Sequence, residues 1–283
     1  MDNPFEQSAL RIISLSSIPP RFDKLAPTLN SLTKQIGPIN EIRLYIPKHY
    51  RRFPDYDGSL PAVPDGVTIV RPEEDIGPAS KVLFAARELR GKGAQILFCD
   101  DDKVFSPDWA SRLFAAQKQR PSECVALIGK DVPSEFARST PFLPKAVLKR
   151  KLTLKLRARR LHYKVARKVF RADRLRPMPS LVAKGGYVDI LQGLGGVVVR
   201  PEFFDDIAYD IPKVLWAVDD YWLSGMLALK GIPIYLPDGL TEPYSTDAHE
   251  VSSLYKATIE GAGRGEANRR CIEYMQTHFN VWR

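Results

Sequence analysis

Cysteine is scarce. Cys99, Cys124 and Cys271 are the only three, odd in number, far apart and without a CxxC pair. This excludes a disulfide framework and a zinc knuckle, and a reducing cytoplasm is the simplest setting. Long apolar runs are also missing. Nothing approaches the ~18–20 residues of a bilayer span, so no segment is expected to cross a membrane. The opening residues Met1–Glu6 have neither a basic nor an apolar signal region, and no secretory leader is expected. Internal repeats are absent. What is present is ordinary for a globular chain: 283 residues, 44% hydrophobic and 27% charged, enough to bury a core and too apolar for a disordered protein.

Acid is absent where base is concentrated. Residues 145–176 hold fourteen Lys and Arg against a single acid, Asp173. The net charge of +9 therefore divides into +13 on this segment and −4 on the rest. A basic charge confined to one segment implies a local anionic partner, such as a phospholipid surface or a phosphorylated substrate.

Short apolar runs alternate with helical spacing over the first half. Strands are expected at 11–16, 41–47, 67–70, 95–99 and 124–128, and later ones end at Val199 and Tyr235. Helices are expected at 21–35, from Pro78 to about Arg90, from Pro107, at 216–230 and at 251–278. In 21–35 the apolar residues Phe22, Leu25, Leu29 and Leu32 recur at spacings of three and four. The alternation predicts a mostly parallel sheet covered on both faces, in one α/β domain over 1–283. Residues 131–180 read as an insertion of loop and basic helix, the helix spanning 145–174 and about 45 Å long at ~1.5 Å per residue.

Ile96-Leu97-Phe98-Cys99 is followed by Asp100-Asp101-Asp102. A central strand thus ends in three carboxylates, at the edge where open α/β sheets bind ligands. Adjacent carboxylates repel unless a cation lies among them, and hard oxygen donors suit Mg²⁺ or Mn²⁺. A solvated acidic turn is the plainer alternative. The same letters, Asp100-x-Asp102-x-Val104, match the phosphatase signature of haloacid dehalogenase-like enzymes, with Asp100 as nucleophile. Against that reading, three strands precede the motif and no later Lys or GDxxxD pair is evident.

Four stretches in order carry a resemblance: Ser14–Phe22; Asp75-Ile76-Gly77-Pro78-Ala79-Ser80-Lys81; Phe98–Phe105 with Pro107-Asp108-Trp109; and Val218-Asp219-Asp220-Tyr221-Trp222-Leu223. Together they resemble nucleotide-sugar glycosyltransferases of the GT-A fold, close to the bacterial family-2-like type, over about residues 15–235. The resemblance implies a Rossmann-like sheet, a nucleotide-sugar donor, a glycan or lipid-linked acceptor and a divalent Mn²⁺ or Mg²⁺. It implies Asp102 as principal metal ligand, and Asp100 facing the metal or the ribose beside Asp101. Arg21 or Lys81 adds charge beside the phosphates or binds the base, the alternative for Lys81 being a surface helix residue, and Asp75 either caps a turn or bonds the nucleoside. Asp219-Asp220 resembles the late acidic motif that supplies the base in inverting members, with Asp220 favoured. The alternative for this pair is a helix start, which favours carboxylates in any case. His249 is the candidate third metal ligand.

Three further features stay open on sequence. Gln192-Gly193-Leu194-Gly195-Gly196 lacks P-loop spacing and reads as a turn that lets backbone approach a ligand. Trp216 and Trp222 suit either a sugar platform or the core. On a helical wheel Lys149, Arg157, Arg160, Lys164, Arg167, Lys168 and Arg171 share a face, with apolar residues on either side. That pattern fits an interfacial helix at an anionic membrane surface better than nucleic acid, since no aromatic stacking platform accompanies it. A non-catalytic, membrane-associated adaptor is the remaining alternative to an enzyme.

Overall fold

Eight strands form one sheet: β1 (Leu10–Ser16), β2 (Glu41–Tyr45), β3 (Val67–Val70), β4 (Ala94–Phe98), β5 (Cys124–Ala126), β6 (Gly186–Val188), β7 (Val197–Val199) and β8 (Ile234–Leu236). Their spatial order is β6-β8-β5-β7-β4-β1-β2-β3. The computed structural model describes residues 9–136, 143–151, 153–170, 177–252 and 263–282. Strand β1 runs parallel to both β2 and β4, β2 is parallel to β3, and β5 is parallel to β8. Strand β7 lies antiparallel between β4 and β5, and β6 is antiparallel to β8. The mostly parallel α/β sheet expected from sequence is the one observed.

Period-two alternation divides the core into two layers. In β4, Ile96 and Phe98 face one cluster while Leu97 and Cys99 face the other. Val197 and Val199 join the first and Val198 the second. One face is covered by α1 (Ala26–Thr33) and by α3 (Trp109–Lys118), which comes after α2 (Leu83–Leu89) in the chain. The other face is covered by α2, α5 (Asp219–Leu229) and α6 (Arg264–Phe279), while α4 (Leu154–Phe170) contributes no described residue to either cluster, although its Leu156 is buried. Cys99, Cys124 and Cys271 are buried free thiols. No helix among the described residues is long and apolar enough to cross a membrane.

Two expected helices are broken. The 21–35 helix is a 3₁₀ turn at Pro19–Lys24 followed by α1, because Pro27 has no N–H to continue the ladder. The helix from Pro78 is a 3₁₀ turn at Gly77–Lys81 followed by α2. Here Val82 leaves the helical region at φ −134°. The Lys81 carbonyl is taken by the Ser14 hydroxyl at 2.6 Å.

The basic helix over 145–174 is also corrected. Val147–Lys151 is a strand that pairs antiparallel with Ser180–Lys184, and the helix among the described residues is Leu154–Phe170, about 26 Å at ~1.5 Å per residue. Thr153 marks the true start, its hydroxyl accepting the Leu156 N–H at 3.2 Å. Lys149 therefore lies on a strand. Arg171 and the side chains of Arg167 and Lys168 lie outside the described part, as do residues 253–262 of the expected C-terminal helix.

Gly196 tests the packing behind the sheet edge. Its φ is +97°, and a Cβ there would lie 2.3 Å from the buried Trp109 ring, whose Nε1–H donates to the Gly195 carbonyl at 2.8 Å. Gly196→Ala adds a strained backbone and displaces the indole. We expect it to lower unfolding free energy by about 3 kcal/mol, read as a shifted urea midpoint at constant m-value.

Candidate active site

The site lies where β1 and β4 end. Both strands run the same way, so Ser16-Ser17 and Asp100-Asp101-Asp102 emerge side by side. Asp219 and Asp220 occupy the first turn of α5, where the helix dipole favours carboxylates, but neither side chain caps the helix. The 3₁₀ turn Gly193–Gly195 crosses between them. These segments, with the Asp75–Lys81 stretch, line one cleft of about 350 Å³.

Lys81 joins the two acidic motifs. It is 5% exposed, and its Nζ lies 2.5 Å from Asp100 Oδ1 and 2.8 Å from Asp219 Oδ2. Burial pulls the ammonium down, but Asp100, Asp219 and Asp220 outweigh it and hold its pKa well above the ordinary value. For Asp100 burial pushes up, while Lys81, Lys103 and Arg21 pull down and leave it below the usual carboxylate range. Glycine is required opposite: a Cβ at Gly193 would lie 2.6 Å from Lys81 Nζ and 3.3 Å from Asp100 Oδ1. The Gly193 N–H donates to Asp220 Oδ1 at 2.9 Å. The Asp220 carboxyl is pushed up to about 7, first by burial and then by Asp219, against the pull of Lys81.

The three aspartates after β4 divide their tasks. Asp101 is 4% exposed, accepts from Ser17 Oγ and Arg21 at 2.5 Å each, and holds Thr28 Oγ1 with its carbonyl at 2.9 Å. Burial raises its pKa and Arg21 opposes the shift. Both its carboxylate oxygens are thus engaged in fixing the loop. Arg21 also donates to the Val251 carbonyl at 2.9 Å and lies 3.6 Å from Asp102 Oδ2. Asp102 Oδ1 is buried without an aligned hydrogen bond, with only the Lys103 ammonium 3.2 Å away. A buried carboxylate oxygen beside Asp100 that lacks an aligned hydrogen bond fits a hard cation. Among the described residues no group of three or more His, Cys, Asp or Glu is arranged to hold a metal, so such an ion would complete its shell from ligand oxygens.

Other sequence candidates are placed as follows. Asp75 lines the cleft, and its carboxylate accepts the backbone N–H of Arg51 and of Gly77, each at 2.8 Å. Burial raises its pKa. Gly77 has φ +70° and packs so closely on Trp216 that a Cβ would meet the ring at 2.6 Å. Trp216 lines the cleft, whereas Trp222 is core, its Nε1–H donating to the Ala208 carbonyl. His249 follows Thr246, whose N–H donates to the Asp102 carbonyl at 2.9 Å. It lies outside the cleft lining, with Nδ1 2.6 Å from the Thr246 carbonyl and Nε2 2.9 Å from Glu250 Oε1.

The sequence reading did not find Tyr50, Arg52, Lys130, Arg264 and Asn268, which also line the cleft. The Tyr50 hydroxyl donates to the Ser17 carbonyl at 2.8 Å, and Lys130 Nζ lies 5.0 Å from the centroid of the Tyr221 ring. They stand in a proline-rich loop, after a strand and on a C-terminal helix, and no local pattern marks them. Arg51-Arg52 was the one available signal.

No curated protein matches the chain. Among solved structures, S. aureus TarS 1-349 in complex with UDP aligns at 17% identity over 96% of this chain and 72% of that one, with TM-score 0.43. GalNAc-T7 with UDP, GalNAc and Mn²⁺ aligns at 13% identity over 97% of this chain and 49% of that one, with TM-score 0.50, a likeness of fold.

Removal of the Lys81 charge should expose the balance around it. Lys81→Met leaves buried carboxylates unpaired, at a cost of about 3–5 kcal/mol near neutral pH. In the wild type Asp100 sits below its unfolded value, so its contribution is present above that value and lost as pH falls through the folded pKa. Without Lys81, burial lifts Asp100 and lifts Asp220 further, and the folded state then binds more protons than the unfolded one. The deficit of the variant should therefore shrink between pH 8 and pH 5 in paired denaturation curves. A constant deficit would show that the charges are not coupled. Gly193→Ala, which displaces the same ammonium, should share the trend.

The Glycosyl transferase family 2 model matches residues 21–171, more than half of the chain and including β4 with its three aspartates, and the chain accordingly belongs to that family and is a glycosyltransferase of GT-A fold, not the phosphatase or adaptor that the aspartates alone left open.

Proposed function

We propose that this chain moves a sugar from a nucleoside-diphosphate donor to a hydroxyl of a glycan or lipid-linked acceptor, with inversion at the anomeric carbon. The observation that carries the reading is the meeting of two acidic motifs, distant in sequence, across one cleft with Lys81 between them. Similarity to GalNAc-T7, which was solved with UDP, GalNAc and Mn²⁺, supports the donor class. A divalent cation, Mn²⁺ or Mg²⁺, held by Asp102 and Asp100 would supply Lewis-acid stabilisation of the departing diphosphate.

The residues of the chain take the following parts. Asp101, Ser17 and Arg21 hold the loop after β4 rigid, so that Asp100 and Asp102 are presented and not rearranged at the moment of reaction. Trp216, Tyr50 and the turn at Asp75 form the wall proposed for the nucleoside. Asp220 is the general base. Its Oδ1 is pinned by the Gly193 N–H, and Oδ2 takes the proton from the acceptor hydroxyl. The acceptor oxygen then forms the new bond to the anomeric carbon as the bond to the diphosphate breaks, and the electron pair leaves with the nucleoside diphosphate. Asp219, buried at 4% exposure and paired to Lys81, positions this turn.

Two variants separate these parts. Asp102→Asn should abolish Mn²⁺-dependent nucleotide binding in calorimetry while the fold is kept, and wild-type affinity in that variant removes the metal assignment. Asp220→Asn should lose about 10²–10⁴-fold in turnover with donor affinity retained. If Asp219→Asn is inactive and Asp220→Asn active, the base is the other carboxylate. Because Asp220 must be ionised to accept a proton, kcat/KM should rise with pH through an ascending limb near about 7. The limb should vanish in Asp220→Asn.

A further inference from the structure

Helix α4 meets the protein by one side only. Leu156 is buried, Tyr163 is half-buried, and Arg160 Nε donates to the Pro177 carbonyl at 3.0 Å. On the opposite side Leu154, Ala158, Leu161 and Val165 follow one another at spacings of four, three and four, which makes them a single stripe along the helix. All four are exposed, the large ones at 81%, 65% and 47%. The neighbouring hairpin adds Val147 and Leu148, each about half exposed. Six of the nine exposed large apolar residues among those described fall between Leu143 and Val165. Scattered apolar residues need no explanation, but this concentration does.

The charge beside the stripe narrows the choice of partner. Arg157 and Lys164 flank it on one edge and are exposed, and Lys149 is exposed on the hairpin. No acidic residue occurs from Lys145 to Ala172. An apolar ridge edged by cations, in a segment without a carboxylate, is complementary to a surface that is anionic at its face and apolar beneath. We infer that α4 and its hairpin seat this protein on an anionic lipid bilayer, Leu154, Leu161 and Val165 entering the acyl boundary and Arg157 and Lys164 remaining among the headgroups. Entry by ~5–10 Å is enough for such a stripe and needs no spanning segment.

The seat is close to the cleft. Ser180, on the second strand of the hairpin, is bridged to Thr241, and the Glu242 N–H donates to the Pro179 carbonyl at 3.0 Å. Tyr244-Ser245 pairs with Lys103-Val104, and the Thr246 N–H donates to the Asp102 carbonyl at 2.9 Å. The hairpin thus joins the segment stitched to the third aspartate. On the glycosyltransferase reading proposed above, on which this one clause rests, the acceptor presented at that surface is lipid-borne.

Flotation of the full chain with phosphatidylcholine vesicles, with and without phosphatidylglycerol, tests the seat. The wild type should float with the anionic vesicles at 0.1 M salt and much less at 1 M, where the Debye length falls from ~10 to ~3 Å. Leu154→Ser/Leu161→Ser/Val165→Ser should lower the bound fraction about tenfold even at low salt, with an unchanged melting temperature, since the residues are exposed. Arg157→Gln/Lys164→Gln should lower it and flatten the salt dependence. Failure of the wild type to float, equal binding to phosphatidylcholine alone, or binding unaltered by the serine variant overturns the inference. So does a wild-type dimer in light scattering that the serine variant disperses, which would make a second copy the occupant of the stripe. Mn²⁺-dependent UDP or GDP binding, measured in parallel, should be the same in all variants. Its absence in a wild type that floats would remove the transferase reading and leave the membrane seat intact.

Discussion

A buried ammonium holds this site together. Lys81 can remain charged in the interior only because Asp100 and Asp219 lie within ion-pair distance. The buried Asp219 in turn tolerates its position because Lys81 is there, and the partly exposed Asp100 shares the same ammonium. The mutual dependence fixes the distance between the end of β4 and the start of α5. Three local devices serve it. Ser14 on β1 takes the Lys81 carbonyl, the helix breaks at Val82 immediately after, and Gly193 leaves the space its side chain needs. None has a purpose in a surface helix.

The same economy governs the aspartate triplet. Three adjacent carboxylates would repel each other in any fold. Here each is neutralised from a different direction: Asp100 by Lys81, Asp101 by Arg21 and Ser17, and Asp102 by Lys103 at a distance that leaves one oxygen without an aligned partner. The middle aspartate is consumed in holding the loop, and its neighbours keep donor capacity. Rigidity and availability are thus separated along three consecutive residues, a division that strand alternation makes natural as the chain leaves the sheet.

The inserted segment obeys other rules. Its basic residues are not compensated by acids within it, and its helix buries one side and leaves a leucine stripe in water. In the sheet every apolar residue has a partner layer, whereas here the apolar surface is outward. Such a surface is stable on a folded chain only while a small share of the total area is involved, and it has most to gain from contact with an apolar medium.

Period-two and period-three/four patterns determined the sheet, because burial on two faces leaves its signature in consecutive residues of one strand. The Ile96–Asp102 run was legible for that reason, and so was the first turn of α5, where carboxylates and a following apolar face coincide. The resemblance of four short stretches in order gave the family. What sequence alone could not decide was contact across distance. That Asp101 is structural while Asp102 keeps an oxygen without an aligned hydrogen bond, that Lys81 is a strut and not a surface lysine, and that Trp216 lines the cleft while Trp222 is core all depend on which segments meet. The basic helix shows the same limit from the other side. Residues 147–151 have no strong preference between strand and helix, and it is pairing with 180–184, unavailable to any local window, that selects the strand. Local propensity sets what a segment can be. Long-range hydrogen bonds and buried charge pairs, whose energies exist only when both partners are in place, set what it is.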